Sequence, residues 1–258
     1  MSPATVLRRV ADAEAVARAA AEEIVEAASR AIEERGRFTV ALAGGSTPRR
    51  TYELLADPAA PFRERLRWDG THAFFGDERH VPPDHPDSNY RMAREALLDR
   101  VAVASVHRMH GEERQAAAAA AGYEAELRRF FGLASADDPP PRLDLMLLGV
   151  GPDGHTASLF PGSSALDERR RWAVAPFVER LGTHRITLTL PVLVRAREVL
   201  FLVSGAGKAD ALAQVFAPSP GAAPVPAARV RPERGALVWI VDRAAASRVP
   251  PDASARPT

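Results

Sequence analysis

Residues Asp144–Gly162 read DLMLLGVGPDGHTASLFPG. The apolar run at 143–148 is short enough to be a β-strand that is buried on both faces, as in a parallel α/β sheet. Glycine and proline at 149–154 allow neither a strand nor a helix to continue. Ligands of open α/β sheets bind beyond the carboxyl ends of the strands, where Asp153 and His155 follow this run. We therefore consider both for proton transfer; alternatively, Asp153 caps the next turn and His155 is a surface residue.

Composition limits the class of protein. The chain has 258 residues, a formal net charge of +1 and no cysteine, which excludes disulfides, thiolate metal sites and a cysteine nucleophile. The small net charge gives no general attraction to nucleic acid or membranes. No apolar stretch approaches the roughly 18 residues that span a bilayer, and no apolar segment follows Arg8 and Arg9 as in a signal peptide. We expect a cytoplasmic protein.

A glycine-rich turn follows an earlier apolar run at 38–43, the first strand that the sequence predicts. Backbone N–H groups at such a strand–helix junction bind anions, and hydroxyl groups add further donors. The turn lacks the lysine of a nucleoside triphosphate loop and the GxGxxG spacing of a dinucleotide site. We favour a phosphate site here over a simple turn with a Ser or Thr helix cap. The residues of this predicted site are Gly44, Gly45, Ser46 and Thr47.

A second strand–glycine–helix unit lies at 199–216. It places Lys208 in the first turn of the predicted helix, where a cation opposes the helix dipole. An anionic ligand would compensate for that cost; the alternative is a solvated lysine with a small penalty.

Charged residues also follow the predicted strand at 71–76, beginning with Asp77 and Arg79. A proline-rich loop comes next, and its histidines and aspartates (His80, Asp84, His85, Asp87) raise the question of a metal site. The prolines constrain this loop and no HExxH-type spacing is present, so we predict no metal there.

The remaining pattern alternates helices and strands without an internal repeat, so we predict a single domain at 1–258. Its ordered core is expected at about 11–245, with a disordered tail at 250–258. Helices are predicted at 11–35, 90–98 and 112–131, and further strands at 172–177, 185–189 and 237–241.

Taken together, the chain resembles the 6-phosphogluconolactonase family of the oxidative pentose phosphate pathway. The matching motifs are ALAGGSTP at 41–48, FFGDER at 74–79, DSNYRMAREALL at 87–98, LLGVGPDGHTASLFPG at 147–162, RITLTLP at 185–191 and SGAGKADAL at 204–212. They cover about residues 11–245 in the family's order. The resemblance implies a Rossmann-like three-layer α/β fold with a mainly parallel central sheet, shared with glucosamine-6-phosphate deaminases.

The resemblance also implies hydrolysis of 6-phospho-D-glucono-1,5-lactone, a sugar phosphate, by activated water. His155 is then the general base, with Asp153 and Asp77 orienting it or holding sugar hydroxyls. Candidates for the phosphate and the oxyanion are the Gly44–Thr47 loop, Arg79, Arg185 and Lys208. No cofactor and no metal is expected, nor a nucleic-acid or membrane partner; the protein is expected to be a monomer or a small homo-oligomer.

Two other functions stay open at this point. Glucosamine-6-phosphate deaminases share the glycine-rich loop, the acidic pair and the DGH loop, but carry a catalytic glutamate soon after the histidine. The corresponding stretch, Ser158–Pro161, has no carboxylate, which favours the lactonase. A non-catalytic sugar-phosphate sensor would usually carry a DNA-binding helix-turn-helix, and the N-terminal helix has neither a partner helix nor a basic face.

Overall fold

The structure, a computed structural model, describes residues 5–135, 137–251 and 253. The strands are β1 Thr5–Val10, β2 Phe38–Leu42, β3 Thr71–Phe75, β4 Asp77–Arg79, β5 Ser105–Val106, β6 Leu145–Leu148, β7 Ala173–Val174, β8 Phe177–Val178, β9 Thr183–Leu188, β10 Glu198–Val203 and β11 Ala236–Asp242. The helices are α1 Ala13–Arg35, α2 Ser46–Ala56, α3 Asn89–Ala93, α4 Ala116–Phe131, α5 Leu190–Leu193, α6 Ala209–Phe216 and α7 Pro226–Arg229.

Seven of these strands form one sheet in the order β1-β11-β10-β6-β2-β3-β5. Every neighbouring pair in it is parallel, so the strands end at one common edge. A smaller antiparallel sheet joins β4 and β7 to β9, and β8 also pairs with β9. The predicted α/β fold with a mainly parallel central sheet is confirmed.

The core lies on both faces of the large sheet because successive side chains of a strand point in opposite directions. In β6, Met146 and Leu148 pack into a cluster that includes residues of α4, whereas Leu145 and Leu147 pack into one that includes residues of α1. All four side chains are buried. This double burial explains why the run at 143–148 is apolar without alternation.

The chain enters the sheet earlier than the sequence indicates. β1, at 5–10, pairs in parallel with β11 along the whole of β1, so the predictions of a first strand at 38 and of an ordered core beginning at 11 are wrong at this end. β1 is a partly exposed edge strand with two arginines, a composition that does not announce a strand. Arg9 donates to the carbonyl oxygen of Pro251 at 2.9 Å, within the predicted disordered tail. The rest of that prediction, at 252 and 254–258, lies outside the described residues.

Smaller differences concern element ends. The helix predicted at 112–131 begins at Ala116, and the one predicted at 90–98 is α3 followed by a wider turn at Arg94–Leu98. The strand predicted at 172–177 is divided into β7 and β8, and α7 lies in a segment for which no helix was predicted. Within the described ranges, no helix combines the length and the apolar composition that a bilayer span requires.

Candidate active site

A cavity of about 310 Å³ lies at the carboxyl ends of β2, β6 and β10. That volume suits one small ligand. Most of the residues predicted for the site line it: Gly44, Gly45, Ser46, Thr47, Asp77, Arg79, His155 and Lys208. Asp153 contacts His155 directly, whereas Arg185 is not among the lining residues. The parallel sheet therefore brings together residues that are up to 164 positions apart (208 − 44).

In the turn between β2 and α2, the backbone lies too close to its neighbours for a side chain at Gly44. Gly45 has φ of 107°, which only glycine adopts readily, and a Cβ at Gly44 would lie 1.9 Å from Oδ1 of Asn89. The buried hydroxyl of Tyr52 donates to the carbonyl oxygen of Ala43 at 2.9 Å and accepts from its N–H at 2.9 Å. The first turn of α2 therefore faces the cavity from a fixed position.

The second glycine loop joins the first directly. Oγ1 of Thr47 and Oγ of Ser204 are 2.7 Å apart and share a hydrogen bond. Gly205, with φ of 93°, donates its N–H to the carboxylate of Asp242. Asp242 also accepts from the N–H of Ala245 at 2.7 Å.

Lys208 stands at the boundary between this loop and α6, one residue before the helix itself. Its ammonium has no hydrogen bond or ion pair within the described part of the chain. Burial lowers its pKa, and the charge of Asp153 opposes that shift. Of the 34 lysine and arginine residues, Lys208 is the one lysine. A compact, partly buried and unpaired cation beside two hydroxyl-bearing loops is suited to an anionic ligand.

His155 and Asp153 form a hydrogen-bonded pair. The His155 Nδ1 atom lies 2.5 Å from Oδ1 of Asp153, and the His155 N–H donates to the same oxygen at 3.2 Å. An ionised carboxylate only accepts, so Nδ1 carries the proton of the neutral ring and Nε2 has a free lone pair. Nε2 has no partner within the described ranges, and the ring lines the cavity.

The pKa values of the pair favour a neutral imidazole beside an ionised carboxylate. Burial lowers the pKa of His155 and outweighs the opposing effect of Asp153. Burial works to raise the pKa of Asp153, but its hydrogen bonds with His155 and the charge of Arg180 hold that pKa below the ordinary value. At neutral pH the ring is therefore available to accept a proton at Nε2.

Arg180 supports the pair from the solvent side, which the sequence did not indicate. Its NH2 atom lies 2.8 Å from Oδ2 of Asp153, the oxygen that His155 does not use. The guanidinium also lies over the ring of Phe160, 4.8 Å from its centroid, and Phe160 packs against the imidazole at 4.3 Å. Arg180 follows His155 by 25 positions in an exposed turn, so no motif connects the two.

Asp77 lines the cavity and accepts hydrogen bonds from two neighbouring side chains. Ser158 donates from Oγ to Oδ2 of Asp77 at 2.6 Å, and Asn89 donates from Nδ2 to Oδ1 at 3.1 Å. Ser158 lies in the stretch where deaminases carry a glutamate, and its hydroxyl is engaged with Asp77. Asn89 lies in the motif at 87–98 that matched the family, but its place in the cavity could only be seen in the structure.

The neighbouring carboxylate, Glu78, is buried and serves the backbone. It accepts from the N–H groups of Asn89 at 2.7 Å and Tyr90 at 2.8 Å, and from Oγ of Ser88 at 3.0 Å. Burial raises its pKa, against the hydrogen bonds from the backbone N–H groups. Glu78 thus fixes the start of α3 and with it the position of Asn89.

Arg79 and Arg185 are neighbours in the small sheet, because the adjacent strands β4 and β9 pair them in register. Arg79 lines the cavity and donates to the carbonyl oxygen of Asp87. Arg185 lies outside the lining; burial and the charge of Arg79 lower its pKa. Two adjacent guanidiniums favour an anion between or near them, but only Arg79 reaches the cavity in this structure.

No three His, Asp or Glu side chains of the described residues converge as a metal site would require. The histidines and aspartates at 80–87 accordingly do not form a metal cluster.

Residues 11–239 match the family described as glucosamine-6-phosphate isomerases/6-phosphogluconolactonase. The chain belongs to this family. The match covers the glycine-rich turn after β2 and the loop that carries Asp153 and His155, and ends within β11.

Several relatives within the family are similar over most of their length. A 6-phosphogluconolactonase of Nostoc sp. is 46% identical over 221 residues, which are 85% of this chain and 88% of that protein. The 6-phosphogluconolactonase of Mycobacterium tuberculosis is 39% identical over 248 residues, covering 93% and 96%. The solved 6-phosphogluconolactonase of Trypanosoma cruzi superposes with a TM-score of 0.82 at 30% identity, covering 96% of this chain and 97% of that one.

Proposed function

We propose that this enzyme hydrolyses 6-phospho-D-glucono-1,5-lactone to 6-phosphogluconate in the oxidative pentose phosphate pathway, with His155 as the general base. Relatives named 6-phosphogluconolactonase at 35–46% identity support the lactone as substrate. The observation that carries the proposed mechanism is the setting of His155, whose ring lines the cavity while its Nδ1 is engaged by Asp153, which leaves Nε2 without a partner among the described residues.

The reaction needs a proton acceptor for water, because water attacks the lactone carbonyl more readily when a base removes its proton. Nε2 of His155 takes the proton as the water oxygen bonds to C1. The tetrahedral intermediate collapses, the bond from C1 to the ring oxygen breaks, and the departing oxygen receives the proton from His155. Asp153 stabilises the imidazolium between the two transfers, and Arg180 keeps Asp153 in place.

Two cations line the cavity among the described residues, and we propose a separate task for each. Lys208 adjoins the Gly44–Thr47 turn and Ser204, so it is suited to the phosphate together with these N–H and hydroxyl donors. Arg79 belongs to the wall that carries Asp77, so it is suited to the oxyanion at C1. Asp77, held by Asn89 and Ser158, is placed to accept from sugar hydroxyls. Phosphate binding by Arg185, the neighbour of Arg79 on β9, stays a prediction.

The decisive experiment measures lactone loss above the spontaneous rate with purified protein, in the presence and absence of EDTA. We expect turnover of the phosphorylated lactone, without an effect of EDTA. Ammonia release from glucosamine-6-phosphate without lactone turnover would assign the deaminase activity instead. Tight binding of sugar phosphates without either reaction would assign the sensor function.

We also propose that the chain at 1–258 acts as one domain, in the cytoplasm, as a monomer or small homo-oligomer and without a nucleic-acid or membrane partner. The net charge of +1 and a charged sugar-phosphate substrate support this setting. Light scattering after size exclusion measures the oligomeric state, and cell fractionation measures the location.

A further inference from the structure

A second cavity, of about 250 Å³, lies at the opposite edge of the sheet. Arg37, Asp144 and Arg197 line it, and they immediately precede β2, β6 and β10. The Asp153–His155 pair and the two glycine loops of the catalytic cavity follow the ends of these same strands. A strand of five residues spans roughly 17 Å, so the sheet separates the two cavities.

The walls of this second cavity carry a large excess of positive charge. Five guanidiniums line it, those of Arg35, Arg37, Arg142, Arg195 and Arg197, against the single carboxylate of Asp144. The lining therefore has a formal charge of +4 (five minus one). The other walls are apolar or aliphatic, with Phe131 and the prolines at 139–141.

Asp144 compensates for only part of this charge. It is 7% exposed and accepts from Nε of Arg35 at 2.9 Å and from the N–H and hydroxyl of Thr39 at 2.9 and 2.7 Å. Nε of Arg197 lies 3.3 Å from the same carboxylate. Arg35 also pairs with Glu34, which is largely exposed. Asp144 thus contacts Arg35, Thr39 and Arg197, and none of the other three arginines forms an ion pair with it.

Those three have no carboxylate partner within the described ranges. Nε of Arg195 is buried and without a hydrogen bond, which is costly for a charged group. Arg142 donates to the carbonyl oxygen of Arg234 at 2.9 Å, and Arg37 lies over the ring of Phe130 at 5.0 Å. Burial and the charges of Arg197 and Arg195 lower the pKa of Arg142, as expected when like charges crowd together.

We propose that this cavity binds a small anion with two or more phosphate charges, at a site separate from the catalytic cavity. Guanidinium groups bind phosphate oxygens through paired, charge-assisted hydrogen bonds. Such a ligand supplies acceptors to Arg142 and Arg195 and relieves the mutual repulsion of the five guanidiniums. The charge lies in a bounded cavity and not along an extended stripe, so a small molecule fits it better than a nucleic acid.

The test uses inorganic pyrophosphate as the probe, with calorimetry and thermal melting at low ionic strength. We expect saturable binding and a melting temperature that rises with pyrophosphate concentration. Arg195→Gln should weaken pyrophosphate binding by at least about tenfold, since a charge-assisted hydrogen bond exceeds the 1.4 kcal/mol that corresponds to a factor of ten. Arg18→Gln is the matched control, because it lies on the same helix as Arg35 but 17 residues away, about 25 Å along the axis.

A Lys208→Ala variant separates the two cavities, because it should bind pyrophosphate at the arginine site as tightly as the native protein. Loss of binding in Lys208→Ala but not in Arg195→Gln would place the ligand in the catalytic cavity and overturn the proposal. Equal binding by all variants, or no saturable binding, would overturn it as well. ADP distinguishes the source of the phosphates: tighter binding than pyrophosphate assigns a nucleotide, and equal binding assigns the phosphates alone.

Stability without ligand provides an independent readout. Replacing an unpaired guanidinium among like charges should leave the melting temperature of Arg195→Gln unchanged or higher at low salt. A lower melting temperature would assign Arg195 to the fold, and pyrophosphate binding by Arg142→Gln would then decide. Native-like affinity in that second variant would overturn the site.

Discussion

Nδ1 of His155 donates to Oδ1 of Asp153 across 2.5 Å, and the other oxygen of Asp153 receives NH2 of Arg180 at 2.8 Å. Each oxygen of the carboxylate thus has its own partner, so the imidazole has one tautomer and one orientation. The ring lines the cavity that the ends of β2, β6 and β10 form, and its Nε2 has no partner among the described residues. The proposed proton transfer by His155 depends on this chain of three side chains.

Replacing the proposed base should abolish turnover and leave the fold intact. His155→Ala is expected to lower kcat by about 10²–10⁴-fold, the usual contribution of a general base. The melting temperature should stay unchanged, and the affinity for 6-phosphogluconate should change by no more than a few-fold. Steady-state kinetics and thermal melting measure the two effects. His155→Asn is the second variant, since it hydrogen-bonds without a basic nitrogen. Near-native kcat in a folded variant would exclude His155 as the base.

The pH dependence should reflect a neutral imidazole. Burial lowers the pKa of His155 from its ordinary value of 6.5, so the ring loses its proton at a lower pH than an exposed histidine does. kcat/KM should therefore rise with pH through a single ionisation below 6.5 and stay level through neutral pH. Initial rates corrected for spontaneous lactone hydrolysis measure this curve. An inflection well above 6.5 would contradict the assignment.

Removing Arg180 should move that inflection. Its positive charge contributes to the lowering of the pKa of His155, so Arg180→Gln is expected to shift the acid limb to higher pH. Because Arg180 is 49% exposed, the loss in kcat at neutral pH should be no more than about fivefold, the scale of an exposed ion pair. Arg170→Gln, an exposed arginine in another loop, is the control. A change in kcat without a shift of the pH profile would assign Arg180 a structural role only.

A methyl group at Gly151 should disrupt the His155–Asp153 pair. The Cβ would lie 1.9 Å from Nδ1 of His155 and 2.7 Å from Oδ1 of Asp153, so both side chains must move. Gly151→Ala should lower kcat by about 10²-fold, because a misplacement of about 1 Å has that effect. Gly122→Ala in α4, with no atom within 4 Å of the new Cβ, should keep the rate and gain about 0.5–1 kcal/mol of stability. Kinetics and melting of both variants measure the difference, and equal rates would refute the predicted displacement.

Lys208 should select for the phosphate. Lys208→Ala is expected to lower kcat/KM for the phosphorylated lactone by roughly ten- to a hundred-fold, the value of one charge-assisted hydrogen bond to phosphate. The loss should be much smaller for unphosphorylated gluconolactone. Parallel assays with the two lactones measure the ratio of their kcat/KM values. An equal loss on both would assign Lys208 to the fold or to the oxyanion.

Because Lys208 is the one lysine, amine acylation offers a second check of the same role. The reagent can modify only Lys208 and the chain's α-amino group. We expect acylation to inactivate the enzyme and 6-phosphogluconate to protect it. Acylated Lys208→Ala serves as the control, because it reports the effect of the α-amino group alone. Full activity after complete modification of Lys208 would contradict a role in phosphate binding.

The sequence by itself determined the fold class and most of the candidate site. An apolar run such as 143–148 favours a strand that is buried on both faces, and the glycine–proline break after it indicates a loop at the end of that strand. Both are local consequences of chain chemistry, so His155 and the turn at 44–47 could be found without coordinates. β1 could not, since a short edge strand with two arginines has no comparable pattern.

Only the tertiary structure decided which of these residues meet. The parallel register brings the ends of β2, β6 and β10 to one edge, which joins Thr47 to Ser204 and excludes Arg185 from the cavity lining. Arg180 reaches Asp153 because β9 folds back beside β8, a contact between residues 27 positions apart (180 − 153). Such contacts depend on packing and register, and these are properties of the assembled sheet and not of any one segment.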